Sequence, residues 1–127
     1  MQRVPTGFVS AEPTHRRGEV WLVDLGNDPA DPEQAFMRPA LIVSDDALHH
    51  PRLRMVVVVP ATSRLRSLSL HTVVQPGADN GLGETSAFQA EQVRAVSSRR
   101  LVRRLGRLGV EDRHAIDEIL RSVLALH

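Results

Sequence analysis

The sequence predicts a single small domain that is mainly β, with short strands forming a twisted sheet or partly closed barrel. The length of 127 residues suits one domain better than two. Over most of the chain, apolar residues fall in short runs that end at Gly, Pro, Asn or Asp. Beyond Gly109, the residues Ile116, Leu120 and Val123 recur at helical spacing, so a C-terminal helix is expected to cover one opening of the barrel.

The expected strands rest on two patterns. Four consecutive valines at 56–59 form a continuous apolar run, which is typical of a buried strand. Elsewhere apolar and polar residues alternate, as they do in a strand with one buried face. The predicted strands are residues 19–25, 40–44, 54–60, 68–74, 85–96 and 102–108, the fifth with an irregularity at Glu91-Gln92.

Other segments lack the periodicity of a strand. Residues 1–15 predict a flexible tail, so the domain itself is expected to span residues 16–127. Residues 26–37 predict a long loop, and loops of that length in a small domain are usually functional or mobile. Ser97 is a candidate cap for a single helical turn before the last strand, and the C-terminal helix is predicted over residues 111–126.

Composition excludes several classes of protein. With no Cys there are no disulfides and no Cys-ligated metals. No apolar run approaches the roughly 20 residues of a membrane span, and the first residues lack the apolar core of a signal peptide, so a soluble cytoplasmic protein is expected. All 16 basic residues are Arg, and six of them fall between Arg94 and Arg107. This clustering predicts a basic face suited to phosphate.

Several familiar catalytic patterns are missing. Asp45, Asp46, His49 and His50 are metal-ligand types, but adjacent side chains point in different directions, so a polar loop is the favoured interpretation. There is no Gly-x-Ser-x-Gly elbow. The glycines of residues 77–83 are followed by neither Lys-Ser/Thr nor a helix, which predicts a flexible hairpin loop rather than a phosphate loop. No metal and no cofactor is therefore expected.

Arg38 and Thr62 are residues that composition alone does not distinguish. Arg38 precedes Pro39 at the start of a strand, and it would ordinarily be a surface arginine paired with an acid such as Glu33 or Asp45. Thr62 follows the valine run, where a hydroxyl ordinarily caps a turn. Neither residue is expected to be needed for the core.

Several sequence blocks in a fixed order strengthen the case that Arg38 and Thr62 are functional. The blocks are Gly18-Glu19-Val20-Trp21-Leu22-Val23-Asp24, Glu33-Gln34 followed by Arg38-Pro39-Ala40-Leu41-Ile42-Val43-Ser44, Val59-Pro60-Ala61-Thr62-Ser63, and Ala90-Glu91-Gln92-Val93-Arg94-Ala95-Val96. A strand and a helix follow them. Over residues 16–126 the chain resembles the MazF/PemK toxins, which are endoribonucleases of type II toxin–antitoxin systems.

The resemblance implies a small SH3-like β-barrel, shared by MazF and CcdB toxins, and a homodimer whose groove receives single-stranded RNA. It implies cleavage without a metal, by attack of the RNA 2′-hydroxyl, and an antitoxin whose acidic tail blocks the groove. The implied catalytic residues are Arg38 and Thr62. The residues expected to line the RNA path are Glu33, Gln34, Ser63, Arg64, Gln92 and Arg94. No residue is assigned as the proton acceptor.

Two other classes of function stay open at this point. A CcdB-like toxin would bind DNA gyrase without catalysis, but such relatives end in Trp-Gly-Ile, whereas this chain ends Leu124-Ala125-Leu126-His127. An SH3- or Tudor-like binding module would use an aromatic groove or cage, and this chain has no Tyr. The RNA motif, the class of target RNA and the identity of the antitoxin do not follow from the sequence.

Overall fold

The computed structural model describes residues 15–26 and 37–126, so most of the predicted tail and of the predicted loop 26–37 lies outside the described residues. The described ranges contain seven strands and one α-helix. The strands are β1 (Glu19–Asp24), β2 (Met37–Ile42), β3 (Met55–Thr62), β4 (His71–Val74), β5 (Ser86–Gln89), β6 (Arg94–Ser97) and β7 (Leu101–Arg107). The helix, α1, is Val110–Val123.

All seven strands join one antiparallel sheet in the order β4-β5-β3-β2-β1-β7, with β6 also paired to β3. β3 is the centre of the sheet because β2, β5 and β6 all bond to it. The four valines of β3 are buried or half-buried, which confirms the strand that the apolar run predicts. The mainly β class with a C-terminal helix is also confirmed.

The predicted fifth strand is two strands separated by a turn. β5 bonds to the end of β3 and β6 to its beginning, and the one-turn 3₁₀ helix Ala90–Gln92 lies between them. The irregularity expected at Glu91-Gln92 is this turn. The Ser97 side chain caps the next turn, Ser98–Arg100, as the sequence predicts.

Two apolar clusters occupy the two faces of the sheet. One cluster includes Leu41, Val59 and Phe88 and is covered by α1 through Ile116 and Leu120. The other lies on the opposite face and comprises Val23, Ala40, Ile42, Val56, Val58 and Val96. Because neighbouring residues in a strand point to opposite faces, β2 and β3 contribute alternate residues to the two clusters.

The loop between β4 and β5 closes the sheet against β7. Asp79 O accepts a hydrogen bond from the Arg107 N–H at 2.7 Å. Asn80 holds the loop in shape, since its Oδ1 accepts from the Gly77 and Leu82 N–H groups at 3.0 Å each. The flexible hairpin expected here is therefore an organised connection between the two ends of the strand order, and the sheet forms a partly closed barrel.

The C-terminal helix ends earlier than predicted. Val123 is its last residue, because Ala125 takes a left-handed conformation with φ of 56°. The Leu126 N–H then bonds to Arg121 O and the Ala125 N–H to Ser122 O, which closes the helix as a Schellman motif. Among the residues that the structure describes, no helix is both long and apolar enough to cross a membrane.

Candidate active site

Arg38 and Thr62 lie at matching positions on neighbouring strands. β2 and β3 pair with Ala40 facing Pro60, and the same register continued by two residues sets Arg38 across from Thr62. Arg38 is two residues from Ala40 and Thr62 is two residues from Pro60, so both side chains point to the same face of the sheet. Since Ala40 belongs to the cluster away from α1, the pair lies on the face that α1 does not cover.

The guanidinium of Arg38 is held by acceptors from two other strands. Its Nε donates to Ala61 O at 2.8 Å and its Nη2 donates to Gln89 Oε1 at 2.7 Å. Arg38 is only 8% exposed, so it is not a surface arginine. The expectation that Arg38 is not needed for the core is wrong, because its removal leaves buried acceptors unsatisfied at about 1–3 kcal/mol each.

Gln89 is a buried polar residue of the candidate site that no sequence pattern described above identifies. It is the last residue of β5 and is 3% exposed, between the buried Phe88 and Ala90. A polar residue in a fully buried strand is the one signal that could have identified it. Its role depends on contact with Arg38, 51 positions away, which no local pattern reveals.

His71 is a second buried polar residue beside the Arg38–Gln89 contact. It faces Gln89 across the β4–β5 pair, and its Nε2 lies 2.7 Å from Glu91 Oε2. The side chain of His71 is 1% exposed and that of Glu91 is 29% exposed. The structure thus pairs Glu91 with His71.

Thr62 ends β3 and is half-buried, so its hydroxyl stands at the rim of the site. Its Oγ1 accepts a hydrogen bond from the Arg64 N–H at 3.1 Å. The turn-capping role expected of a threonine here is therefore present, and it fixes the rotamer of the candidate catalytic hydroxyl. Ser63 and Arg64 follow in the exposed turn next to it.

Gln92 and Arg94 form a group further along the same face. Arg94 Nη2 lies 3.4 Å from Gln92 Oε1, and Arg94 is half-buried. Arg94 faces Val58, four residues before Thr62 on β3, which corresponds to about 13 Å along the strand. Arg94 would therefore meet a different part of a bound chain from Thr62. Glu33 and Gln34 lie outside the described residues.

The arginines of β7 do not form the single basic face that their clustering predicts. Arg103 faces Leu22 and Arg104 faces Trp21, so consecutive arginines point to opposite sides of this edge strand. Arg104 Nε also donates to Glu19 Oε2 at 2.8 Å. The positive charge of the β7 arginines is therefore spread over both faces, and the Glu19 carboxylate on β1 compensates part of it.

The polar segment after β2 is built around His49. Asp45 caps the 3₁₀ turn Asp46–Leu48, and the buried His49 ring has its Nε2 2.6 Å from Ser44 Oγ. The His15 ring packs on His49 with 4.7 Å between centroids. Within the described part of the chain, no three His, Cys, Asp or Glu side chains are grouped as metal ligands.

Two groups near the start of β1 have displaced pKa values. Burial alone would raise the pKa of Glu19, but hydrogen bonds from the Trp21 indole, a backbone N–H and the Arg104 guanidinium lower it below its ordinary value of 4.5. Burial, reinforced by the neighbouring His49, lowers the pKa of His15 below 6.5, although two nearby carboxylates oppose the shift. Both groups lie away from Arg38 and Thr62 in the sheet.

The fold defines a small antiparallel β-barrel protein with one C-terminal helix and a polar site on the opposite face. A family model described as PemK-like, MazF-like toxin of type II toxin-antitoxin system matches residues 16–124. The protein named Endoribonuclease MazF9 from Mycobacterium tuberculosis (strain ATCC 25618 / H37Rv) is 36% identical over 116 residues, which cover 87% of this chain and 97% of that protein. The chain belongs to the PemK/MazF family of toxins.

Solved structures agree with this fold. MazF (Form-I) from Deinococcus radiodurans has a TM-score of 0.74 at 22% identity, covering 88% of this chain and 97% of that one. An endoribonuclease in complex with its cognate antitoxin, from Mycobacterial species, has a TM-score of 0.71 at 24% identity, covering 90% and 98% of the two chains. The architecture predicted from the sequence is therefore that of known MazF toxins.

Proposed function

We propose that this chain is an endoribonuclease that cleaves single-stranded RNA as the toxin of a type II toxin–antitoxin system. The endoribonuclease name of its 36% identical relative supports RNA as the class of substrate. The observation that carries the proposal is the Arg38–Thr62 pair on the uncovered face, with the Arg38 guanidinium held at 2.7–2.8 Å by Gln89 and Ala61. Such preorganised donors suit an anionic transition state.

The proposed reaction uses the nucleophile that RNA itself carries. The 2′-hydroxyl oxygen attacks the adjacent phosphorus and the bond to the 5′-oxygen breaks, giving a 2′,3′-cyclic phosphate and a 5′-hydroxyl. Arg38 stabilises the negative charge that grows on the phosphate oxygens, because guanidinium donors form strong charge-assisted hydrogen bonds. Thr62 binds a phosphate oxygen, or it protonates the leaving oxygen and regains the proton from water. The chemistry requires neither a metal nor a cofactor.

The RNA path extends from Thr62 to neighbouring side chains. Ser63 and Arg64 lie in the exposed turn beside Thr62, and Gln92 with Arg94 continues the path on the same face. Glu33 and Gln34 are proposed to contact the RNA from the preceding loop. An Arg94→Ala protein should bind RNA more weakly and with a smaller salt dependence, because a phosphate contact releases counterions. Unchanged affinity and salt slope would remove Arg94 from the path.

The assembled form is proposed to be a cytoplasmic homodimer whose groove is blocked by an antitoxin. One solved structure of the same fold is an endoribonuclease in complex with its cognate antitoxin, which supports a protein inhibitor for this chain as well. An extended acidic tail would match the arginines near the proposed RNA path, since opposite charges favour and orient association.

The test is single-turnover cleavage of a labelled RNA by the purified protein in excess EDTA. Cleavage is expected to leave a 2′,3′-cyclic phosphate and to stop when the cut site carries a 2′-deoxy nucleotide. Activity that appears only with added magnesium or zinc would overturn the metal-independent mechanism. Growth arrest without any RNA cleavage, together with binding to DNA gyrase, would instead favour the CcdB-like alternative.

A further inference from the structure

A cleft of about 220 Å³ opens where β1 begins, β7 ends and α1 starts. The N-terminal half of α1 forms one wall, and residues 17–18 and 41–43 form the other. Arg38 and Thr62 lie on the face of the sheet that α1 does not cover, so the cleft is separate from the candidate active site. Drug-sized ligands occupy pockets of about 300–1,000 Å³, so a cleft of this size suits a smaller group.

Two arginines from separate elements converge on Gly18 in this cleft. Arg107 ends β7, and Arg113 lies near the start of α1. A Cβ atom built on Gly18 would lie 3.1 Å from Arg113 Nη1 and 3.3 Å from Arg107 Nη2, so both guanidinium groups lie close to one point. The Gly18 backbone is itself fixed, because its N–H donates to Ile42 O at 2.9 Å and its carbonyl accepts from the Leu108 N–H at 3.0 Å.

The missing side chain at Gly18 is what allows this approach. Gly18 has φ of 91°, a conformation that residues with a side chain rarely adopt. A Cβ atom there would also lie 3.1 Å from Arg113 Cδ, tighter than ordinary van der Waals contact. Glycine therefore lets the Arg113 side chain lie directly across the backbone, with Arg107 beside it.

No carboxylate of the described part of the chain forms an ion pair with Arg107 or Arg113. Among the described residues, Asp117 is the one acid that lines the cleft, and it is bound to Arg17 at 2.8 Å. Arg113 Nε is buried and has no hydrogen-bond partner among those residues. Neighbouring like charges repel each other, and a buried donor without an acceptor commonly marks the place of an ion or a water.

We propose that Arg107 and Arg113 bind a phosphate group in this cleft, either inorganic phosphate or the terminal phosphate of a small ester. A phosphomonoester carries about −1.5 to −2 charges at pH 7, which matches two guanidinium groups that lack an acid. Its oxygens accept hydrogen bonds from Arg113 Nε and from the Nη groups of both arginines. No residue of the candidate active site takes part, so the inference does not depend on the proposed RNA cleavage.

The direct test is a phosphate titration followed by proton–nitrogen correlation NMR at about pH 7, where phosphate is largely dianionic. Sodium chloride is exchanged for sodium phosphate at constant ionic strength, because screening alone changes exposed charges. The Gly18 amide signal and the Arg113 Nε–H signal are expected to move and then saturate. Signals of the Arg38 guanidinium are followed in the same spectra, so that binding at the candidate active site is recognised.

Two variants and one matched control test the assigned residues. Arg113→Gln and Arg107→Gln should each weaken phosphate binding about tenfold or more, the factor that one charge-assisted hydrogen bond contributes. Arg121→Gln removes an exposed arginine of the same helix and should leave the affinity unchanged. Without phosphate, both cleft variants should unfold at a temperature no lower than the unmodified protein. Phosphate should raise that temperature for the unmodified protein and for Arg121→Gln only.

Adenosine 5′-monophosphate and adenosine separate the two sources of the phosphate group. Equal affinity for adenosine 5′-monophosphate and inorganic phosphate would mean that the free anion is sufficient, whereas tighter binding of the nucleotide would indicate a phosphate ester. Adenosine should not bind in either case. The proposal is overturned if adenosine binds as well as its monophosphate, if phosphate moves only the Arg38 signals or none, or if Arg113→Gln retains the full affinity.

Discussion

Arg38 combines burial with a proposed chemical role. It is 8% exposed, and its Nε and Nη2 are bonded to oxygens of Ala61 and Gln89. Acceptors on separate strands fix both the direction and the plane of the guanidinium. A planar donor fixed in this way needs little reorganisation when charge develops on a phosphate. The same contacts make Arg38 part of the packing, so its substitutions change stability as well as activity.

At the scale of single residues, Arg38 and Thr62 are expected to act as one catalytic unit. Arg38→Ala and Thr62→Ala should each lose about 10²–10³ in cleavage rate, the usual effect of removing one preorganised donor. Arg38→Lys should not restore full activity because Lys lacks a bidentate fork, while Thr62→Ser should retain part. The double variant should be little worse than the worse single one. Single-turnover cleavage of labelled RNA measures each rate.

The control for this prediction must account for the burial of Arg38. Arg38→Ala should lower the free energy of unfolding by about 1–3 kcal/mol or more, so rates are compared at a temperature where circular dichroism shows every variant folded. Arg121→Ala removes an exposed arginine of α1 and should change neither the cleavage rate nor the free energy of unfolding appreciably. Cleavage by folded Arg38→Ala at the unmodified rate would refute the assigned site.

The displaced pKa values of His15 and Glu19 predict acid sensitivity. The folded His15 pKa lies below 6.5, so the unfolded chain binds more protons and stability falls as pH drops through that region. The folded Glu19 pKa lies below 4.5, so its contribution is present above that pH and is lost below it. Urea unfolding from about pH 7 to pH 3 should show a decreasing free energy of unfolding. His15→Gln should remove the part of the decrease above about pH 5, and a flat profile in the unmodified protein would contradict both assignments.

At the scale of secondary-structure elements, the β4–β5 loop and β7 meet through two glycines. A Cβ on Gly106 would lie 2.2 Å from Asp79 O, and one on Gly81 would lie 1.9 Å from Leu105 O. Gly106→Ala should therefore lower the free energy of unfolding by about 1–3 kcal/mol or more, since the clash is with backbone that cannot rotate away. Gly83→Ala is the matched control, because no atom lies within 4 Å of its Cβ position. Equal urea midpoints for the two variants would contradict this contact.

A substitution at the end of α1 is expected to raise the free energy of unfolding rather than lower it. Ala125 has φ of 56°, a conformation that glycine adopts without strain. Ala125→Gly should raise the free energy of unfolding by about 0.5–1 kcal/mol. The same substitution at the exposed Ala115, within α1, should lower it by about as much. A thermal unfolding comparison in which both variants shift in the same direction would argue against the Schellman end.

Element boundaries show what a local pattern can predict. The valine run predicts β3 because a strand buried on both faces has no polar positions. β4 begins at His71 and not at residue 68, because the His71 N–H bonds back to Leu68 O in a turn. The preceding exposed leucines alternate like strand residues, so alternation alone cannot place this boundary.

On the scale of the whole molecule, apolar surface indicates association. Among the described residues, Leu65, Leu68 and Val73 are each about half exposed (48–51%) around β4. We expect a homodimer in solution, because apolar patches of this kind are commonly buried between copies. Sedimentation equilibrium at micromolar protein should give twice the mass of the chain, for Arg38→Ala as well as for the unmodified protein. A monomer would contradict the groove model.

The site was predicted only in part, and the reason lies in its long-range contacts. Arg38 and Thr62 follow from the family resemblance, and the β2–β3 register places both side chains on the same face of the sheet. Gln89 has a signal in the sequence, a polar residue within an apolar strand, but its contact with Arg38 and the place of His71 beside it depend on the pairing of β5 with both β3 and β4. The prediction of a single basic face on β7 was wrong for a similar reason, since the direction of each β7 arginine depends on the bulges between β1 and β7.

The contact between Arg38 and Gln89 also has a consequence during protein synthesis. The two residues are 51 positions apart, and β1 completes its pairing only with β7. A nascent chain that has reached β4 already contains Arg38, Thr62 and the Ala61 carbonyl that accepts from Nε, but it lacks Gln89, which accepts from Nη2. The ribosome must deliver more than two thirds of the polypeptide (89 of 127 residues) before the Arg38–Gln89 contact can form. A growing chain therefore lacks the complete set of acceptors around Arg38 until β5 has been synthesised.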